Sequence, residues 1–185
     1  MKAAPRKTKS TTASPDGTSK PIYLIGFMGA GKSTVAKKLA SKLKLKFYDL
    51  DTLIEEGTGK PISVLFEKKG EEKFRDIEKK YLHKTKSLTN CVIATGGGTP
   101  CFFDNMEWIN EHGTSVYLQL HPGSLFHRIA QSKEKRPLIK DLSDTDLMDY
   151  IMTQIALRER FYKLAHHTIK GESLNIDALI KKVKG

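Results

Sequence analysis

The chain has 185 residues, 38% of them hydrophobic, and a formal net charge of +11 at pH 7; its length suits one domain with enough chain to bury a core. Residues 1–20 carry a net charge of +4 and the remainder +7, a balance that suits anionic ligands, although no basic stripe interleaved with aromatics marks a nucleic-acid surface. Only two cysteines, Cys91 and Cys101, are present and no long apolar run, which excludes a disulfide framework, a cysteine-based metal site, a membrane span and an apolar signal peptide, and fits a reducing compartment.

Residues 1–20 are rich in Lys, Ser, Thr, Ala and Pro, contain one acid, Asp16, and show no apolar periodicity. Burial cannot offset the entropy of ordering such a segment, so a disordered basic extension is expected. A transit peptide is the alternative, weakened by the single arginine, Arg6. Residues 21–185 are then the folded unit.

Pro21–Ile25 is a short apolar run that stops at Gly26 and reads as a strand. Gly26, Gly29, Gly31, Lys32 and Ser33 fit the phosphate-loop spacing G-x-x-x-x-G-K-[ST], and Thr34–Leu43 repeats apolar residues at helical spacing. The glycines let backbone amides approach phosphate oxygens closely. Lys32 suits the β- and γ-phosphates of a nucleotide, and the Ser33 hydroxyl is a hard ligand for Mg²⁺. The dinucleotide spacing G-x-G-x-x-G is absent, which argues against a nicotinamide enzyme.

Leu45–Tyr48 reads as a second strand that delivers Asp49-Leu50-Asp51 to a strand-end loop, where open α/β sheets place ligands. One of these carboxylates can hold Mg²⁺ and the other can accept a proton from an attacking hydroxyl. Pro61–Lys69 and Glu71–Lys86 read as helices punctuated by Gly70, with Arg75 and Glu78 neighbours on one face. That pair is either functional or a plain surface ion pair. Cys91–Thr95 is an apolar strand ending in Gly96-Gly97-Gly98, whose entropy cost points to a close backbone approach. Cys91 reads as a small buried hydrophobe and Cys101 as an inert thiol, with reactivity the alternative.

Asp104 is placed to cap a helix running to roughly Glu111, Thr114–Leu120 is a fourth strand, and Pro122–Ala130 a helix bearing Arg128. Residues 131–144 are dense in charge and read as a mobile loop; if it is a lid, Arg136 swings over the phosphates on closure. Leu147–Leu164 is helical, His166–Ile169 a fifth strand, and Leu174–Val183 a basic terminal helix.

Gly26 to Thr34, Asp49-x-Asp51, Phe74-Arg75-x-x-Glu78, Gly96-Gly97-Gly98, Arg136-Pro137-Leu138 and Arg158-x-x-x-Tyr162 together resemble the shikimate kinase family, from about Ile22 to Ile169. The resemblance implies an α/β P-loop kinase fold with a five-stranded parallel sheet of order 2-3-1-4-5, flanked by helices, with a lid at about 131–144. It implies ATP-dependent phosphorylation of the shikimate 3-hydroxyl, on the route to chorismate and the aromatic amino acids. Gly29, Ala30, Gly31, Lys32, Ser33, Thr34, Arg128 and Arg136 would bind ATP, with Arg128 packed on the adenine. Asp51, Arg75, Gly97 and Arg158 would bind shikimate, with Glu78 orienting Arg75. Asp51 would be the base, assisted by Lys32 and Arg136, and Ser33 and Asp49 would hold Mg²⁺, Asp49 through water.

The family's usual proline and leucine before Tyr162 are absent, so Arg160 competes with Arg158 for the carboxylate; the distance to Tyr162 favours Arg158. The implied protein is a cytoplasmic monomer that acts on small molecules, with no nucleic acid or membrane partner. A related P-loop kinase of another small polyol or sugar acid is the alternative, and a non-catalytic nucleotide-binding or nucleic-acid-binding module a third reading.

Overall fold

A computed structural model describes residues 19–131, 139 and 142–184. The expected extension, apart from Ser19 and Lys20, lies outside them. So do Arg136 and most of the segment read as a lid.

Five parallel strands form one sheet in the order β2-β3-β1-β4-β5. They are β1 (Ile22–Ile25), β2 (Lys46–Asp49), β3 (Cys91–Ala94), β4 (Thr114–Gln119) and β5 (His167–Lys170). The helices are α1 (Lys32–Leu43), α2 (Leu50–Thr58), α3 (Ile62–Lys84), α4 (Asn105–His112), α5 (Pro122–Ala130), α6 (Asp144–Tyr162) and α7 (Ile176–Lys184). The expected sheet order is the observed one.

The three central strands explain the apolar runs. β1 and β3 are buried along their whole length, as strands covered on both faces must be. Alternate residues feed two cores. Leu24, Val92 and Val116 pack with Val35, Leu39 and Ile151 on one face; Tyr23, Ile25, Ile93 and Tyr117 pack with Ile54, Leu65 and Phe74 on the other. Each such aliphatic side chain contributes about 1.5–3 kcal/mol when fully buried.

Because all five strands run in parallel, their C-terminal ends share one edge of the sheet. β2, β3 and β1 are adjacent there. Their ends therefore bring Asp49, the Gly96–Gly98 loop and the phosphate loop side by side.

Several local expectations are corrected. Asp49-Leu50-Asp51 is not a loop: α2 begins at Leu50, directly after β2, and Asp49 caps it, accepting from the Asp51 amide at 3.1 Å. An aspartate in extended conformation can end a strand and start a helix in the same residue. The expected punctuation at Gly70 is borne out: α3 is two helical stretches that meet at a kink, where Gly70 is non-helical (φ 75°, ψ 169°). Asp104 precedes α4 but makes no capping hydrogen bond. Its carboxylate accepts from Lys79 Nζ at 2.6 Å instead.

Candidate active site

The phosphate loop links β1 to α1. Gly26, Gly29 and Gly31 all have positive φ (138°, 76° and 90°), conformations that side chains resist. Lys32 Nζ donates to the carbonyls of Gly26 and Phe27, each at 2.9 Å, and so ties the loop across its own mouth. Arg128 reaches over from α5 and donates to Ala30 O at 3.1 Å. Its guanidinium thus braces the loop from the outside.

Ser33 Oγ donates to Asp49 Oδ2 at 2.6 Å. Two hard oxygens side by side at the first turn of α1 are a donor set that fits Mg²⁺. Asp51 follows in the first turn of α2. One of its oxygens is close enough to Gly96 that a Cβ there would lie 3.3 Å from it.

Two cavities open at this edge. The larger, about 600 Å³, is lined by Gly29, Gly31, Lys32, Ser33, Thr34 and Asp49. The smaller, about 120 Å³, is lined by Phe66, Phe74, Arg75, Glu78, Gly98 and Arg158. Both are also lined by Met28, Asp51, Ile62, Gly96 and Gly97. Asp51 therefore stands where the two meet.

Arg75 and Glu78 form a buried pair rather than a surface one. Arg75 is 5% and Glu78 1% exposed, with Nη1 to Oε2 at 2.8 Å. Thr99 Oγ1 donates to the other Glu78 oxygen at 2.6 Å. Glu71 accepts from Arg75 Nη2 at 2.9 Å and Nε at 3.3 Å. Burial disfavours the Arg75 charge, but the two carboxylates outweigh it and hold its pKa above the ordinary value. The ring of Phe102 lies 4.2 Å from the guanidinium carbon. The backbone of Gly98 approaches so closely that a Cβ would sit 2.5 Å from Arg75 Nη2. That contact accounts for glycine here.

Arg158 enters from α6, 8% exposed, with the Phe27 ring 5.6 Å away. It and Arg75 line the same small pocket. Arg160 is exposed and lies over Phe161 at 4.8 Å, away from that pocket. Two residues apart on a helix, the arginines face different ways, and the docking of α6 turns Arg158 inward.

Burial pushes the Cys101 thiol up to about 11 despite Arg158 nearby, so it is not a poised nucleophile. Cys91 is fully buried at the start of β3, its thiol likewise raised to about 11 by burial. Three contributors were missed in the sequence. Glu71 had a usable signal, its i, i+4 spacing to Arg75. Thr99 had none, since it reaches Glu78 across the fold, and neither had Tyr150, which lies near Arg158 two helical turns earlier on α6.

The sheet order, the loop between β1 and α1, and a second pocket opening onto it define a P-loop kinase. A family model described as "Shikimate kinase" matches residues 28–184. The chain belongs to the shikimate kinase family. It is 44% identical over 170 residues to the shikimate kinase of Phocaeicola vulgatus, covering 88% of this chain and 97% of that protein. It is 48% identical over 163 residues to that of Azobacteroides pseudotrichonymphae genomovar. CFP2, covering 88% and 96%. Among solved structures, shikimate kinase from Bacteroides thetaiotaomicron superposes with a TM-score of 0.82 at 40% identity, covering 89% of this chain and 96% of that one. Shikimate kinase from Acinetobacter baumannii in complex with shikimate gives 0.79 at 34%, covering 89% and 90%.

Proposed function

We propose that this kinase transfers the γ-phosphoryl group of ATP to the 3-hydroxyl of shikimate, giving shikimate 3-phosphate and ADP. The observation that carries the reading is the convergence of Arg75 and Arg158 on one small pocket whose mouth, at Asp51, opens into the phosphate-loop cleft. Two guanidinium groups suit a carboxylate and fix its orientation. The larger cleft suits a nucleotide polyphosphate and the smaller a monocyclic acid.

In this mechanism the amides of Gly29 to Thr34 and the Lys32 ammonium hold the β- and γ-phosphates. Arg75, Arg158 and the Gly97 backbone hold the acceptor by its carboxylate and ring. Asp51 accepts a hydrogen bond from the 3-hydroxyl, aims it at the γ-phosphorus and takes its proton as the new P–O bond forms and the bond to ADP breaks. Ser33 and Asp49 would hold Mg²⁺, which would supply charge neutralisation for the phosphates. Arg128 stacks on the adenine while bracing Ala30. Arg136, outside the described residues, is assigned to a lid at 131–144 that closes over the phosphates and excludes water.

The same reading makes residues 21–185 one kinase unit behind a basic extension, and the protein a cytoplasmic monomer with no nucleic-acid partner. Among the described residues no helix is long and apolar enough to cross a membrane. A coupled assay of ADP release with shikimate, gluconate and nucleoside monophosphates tests the substrate. Turnover that depends on shikimate alone is expected; turnover with gluconate and none with shikimate would move the enzyme to another sugar acid.

A further inference from the structure

Tyr162 lies one helical turn beyond Arg158, at the C-terminal end of α6. Its ring is fully buried and stacks on Tyr117 of β4 with centroids 5.1 Å apart. A ring packed in this way gives its hydroxyl oxygen a fixed position. From there the hydroxyl donates to the Gly97 carbonyl at 2.6 Å, and the Arg158 guanidinium stands beside it, close enough to favour its ionised form against burial. A phenol has one hydrogen to give and lone pairs to receive, so the same oxygen can serve a carbonyl and a guanidinium at once.

The two groups it joins have different origins. Gly97 belongs to the loop after β3, and a Cβ on it would lie 2.9 Å from Met28 N, so its backbone is pressed against the phosphate loop. Arg158 arrives on α6, on the other side of the acceptor pocket. The Tyr162 oxygen contacts both.

We infer that Tyr162 is a positioning residue for the acceptor, its hydroxyl fixing the Gly97 peptide and the Arg158 guanidinium relative to each other. This rests on the acceptor pocket being the shikimate site. The tyrosine touches no reacting atom; it sets the spacing between the guanidinium that grips the carboxylate and the peptide beside the ring. Burial holds its pKa well above the ordinary value, so the donated hydrogen stays in place at any working pH. Phenylalanine would keep the ring stack while leaving the Gly97 carbonyl short of a donor and Arg158 without the oxygen that stands beside it.

The test compares the wild-type enzyme with Tyr162→Phe, Arg158→Lys and the double variant. For Tyr162→Phe, kcat/KM for shikimate should fall about tenfold, mostly through KM, while KM for ATP stays within about twofold. The double variant should lose less than the product of the two single losses, because both changes break one contact. Wild-type kcat/KM in Tyr162→Phe, or penalties that simply multiply, would overturn the inference. Crystal structures of wild type and Tyr162→Phe give a readout independent of turnover. A displaced Gly97 carbonyl or a swung Arg158 is expected, and an unchanged pair overturns the positioning role. A wild-type enzyme inactive on shikimate would end the proposed function instead, with the positioning role still decided by the two structures.

Discussion

Arg75 and Glu78, three residues apart on α3, meet at 2.8 Å beneath the glycine loop, the carboxylate almost wholly withdrawn from water. Breaking such a pair leaves an uncompensated buried charge, which costs about 3–5 kcal/mol. Arg75→Ala should therefore lower the melting temperature as well as raise KM for shikimate, with ATP binding retained. Adding Glu78→Gln should restore much of the stability and none of the shikimate affinity. Steady-state kinetics beside thermal melts separate the two effects; recovery of KM in the double variant would show that Arg75 does not grip the substrate.

Asp51 stands at the junction of the two cavities. Asp51→Asn preserves shape and removes the proton acceptor, so kcat should fall by about 10²–10⁴. Nucleotide affinity, measured by titration calorimetry, should change little. A variant with nearly normal turnover would remove Asp51 from the role of base.

His83, Trp108 and His112 form a stack, with His83 and Trp108 rings 4.8 Å apart and Trp108 and His112 rings 4.3 Å apart. His83 Nε2 is buried without a hydrogen-bond partner among the described residues. Burial, with help from Lys79 and His112 and against the pull of Asp104, holds the His83 pKa below its ordinary 6.5. The unfolded chain thus binds this proton more readily than the folded one. The stabilisation is whole above pH 6.5 and is lost as the pH falls through that value towards the lower folded pKa. His83→Phe keeps a ring in the stack and removes the titration, so its melting temperature should fall less between pH 7.5 and pH 5 than that of the wild type. Equal falls would place the acid sensitivity elsewhere.

Cys101 has a thiol pKa of about 11 against an ordinary 9.0, which leaves about a hundredfold less thiolate near neutral pH. Native protein treated with iodoacetamide at pH 8 should stay largely unlabelled at Cys101 and become labelled once unfolded. Intact-mass spectrometry follows this directly. Rapid single labelling of the native protein at this residue would contradict the buried environment.

The phosphate loop was legible because its glycine spacing encodes backbone geometry, which needs no partner elsewhere in the chain. The sheet order came from the resemblance, since no periodicity in Ile22–Ile25 or Cys91–Ala94 says which strand lies beside which. α2 was missed because strand and helix abut at Asp49 with no glycine or proline between them. Arg75 and Glu78 have the same spacing on an exposed helix as on a buried one; the Gly96–Gly98 loop, distant in sequence, is what covers them. Arg158 was preferred to Arg160 by its distance to Tyr162 within the resemblance; the helical phase that turns it inward is set by packing of Leu147 and Ile151 into the core.

Asp49 uses one carboxylate for two tasks: Oδ1 starts α2 by holding the Asp51 amide, and Oδ2 receives the Ser33 hydroxyl. The helix that carries Asp51 is therefore anchored to the loop that would carry the nucleotide. Whatever draws Ser33 or Asp49 out of place also tugs at the origin of α2, and with it the angle at which Asp51 would meet an acceptor alcohol. Loading of the donor side and aim on the acceptor side are geared together through a single side chain, so neither can be retuned in evolution or in the laboratory without disturbing the other.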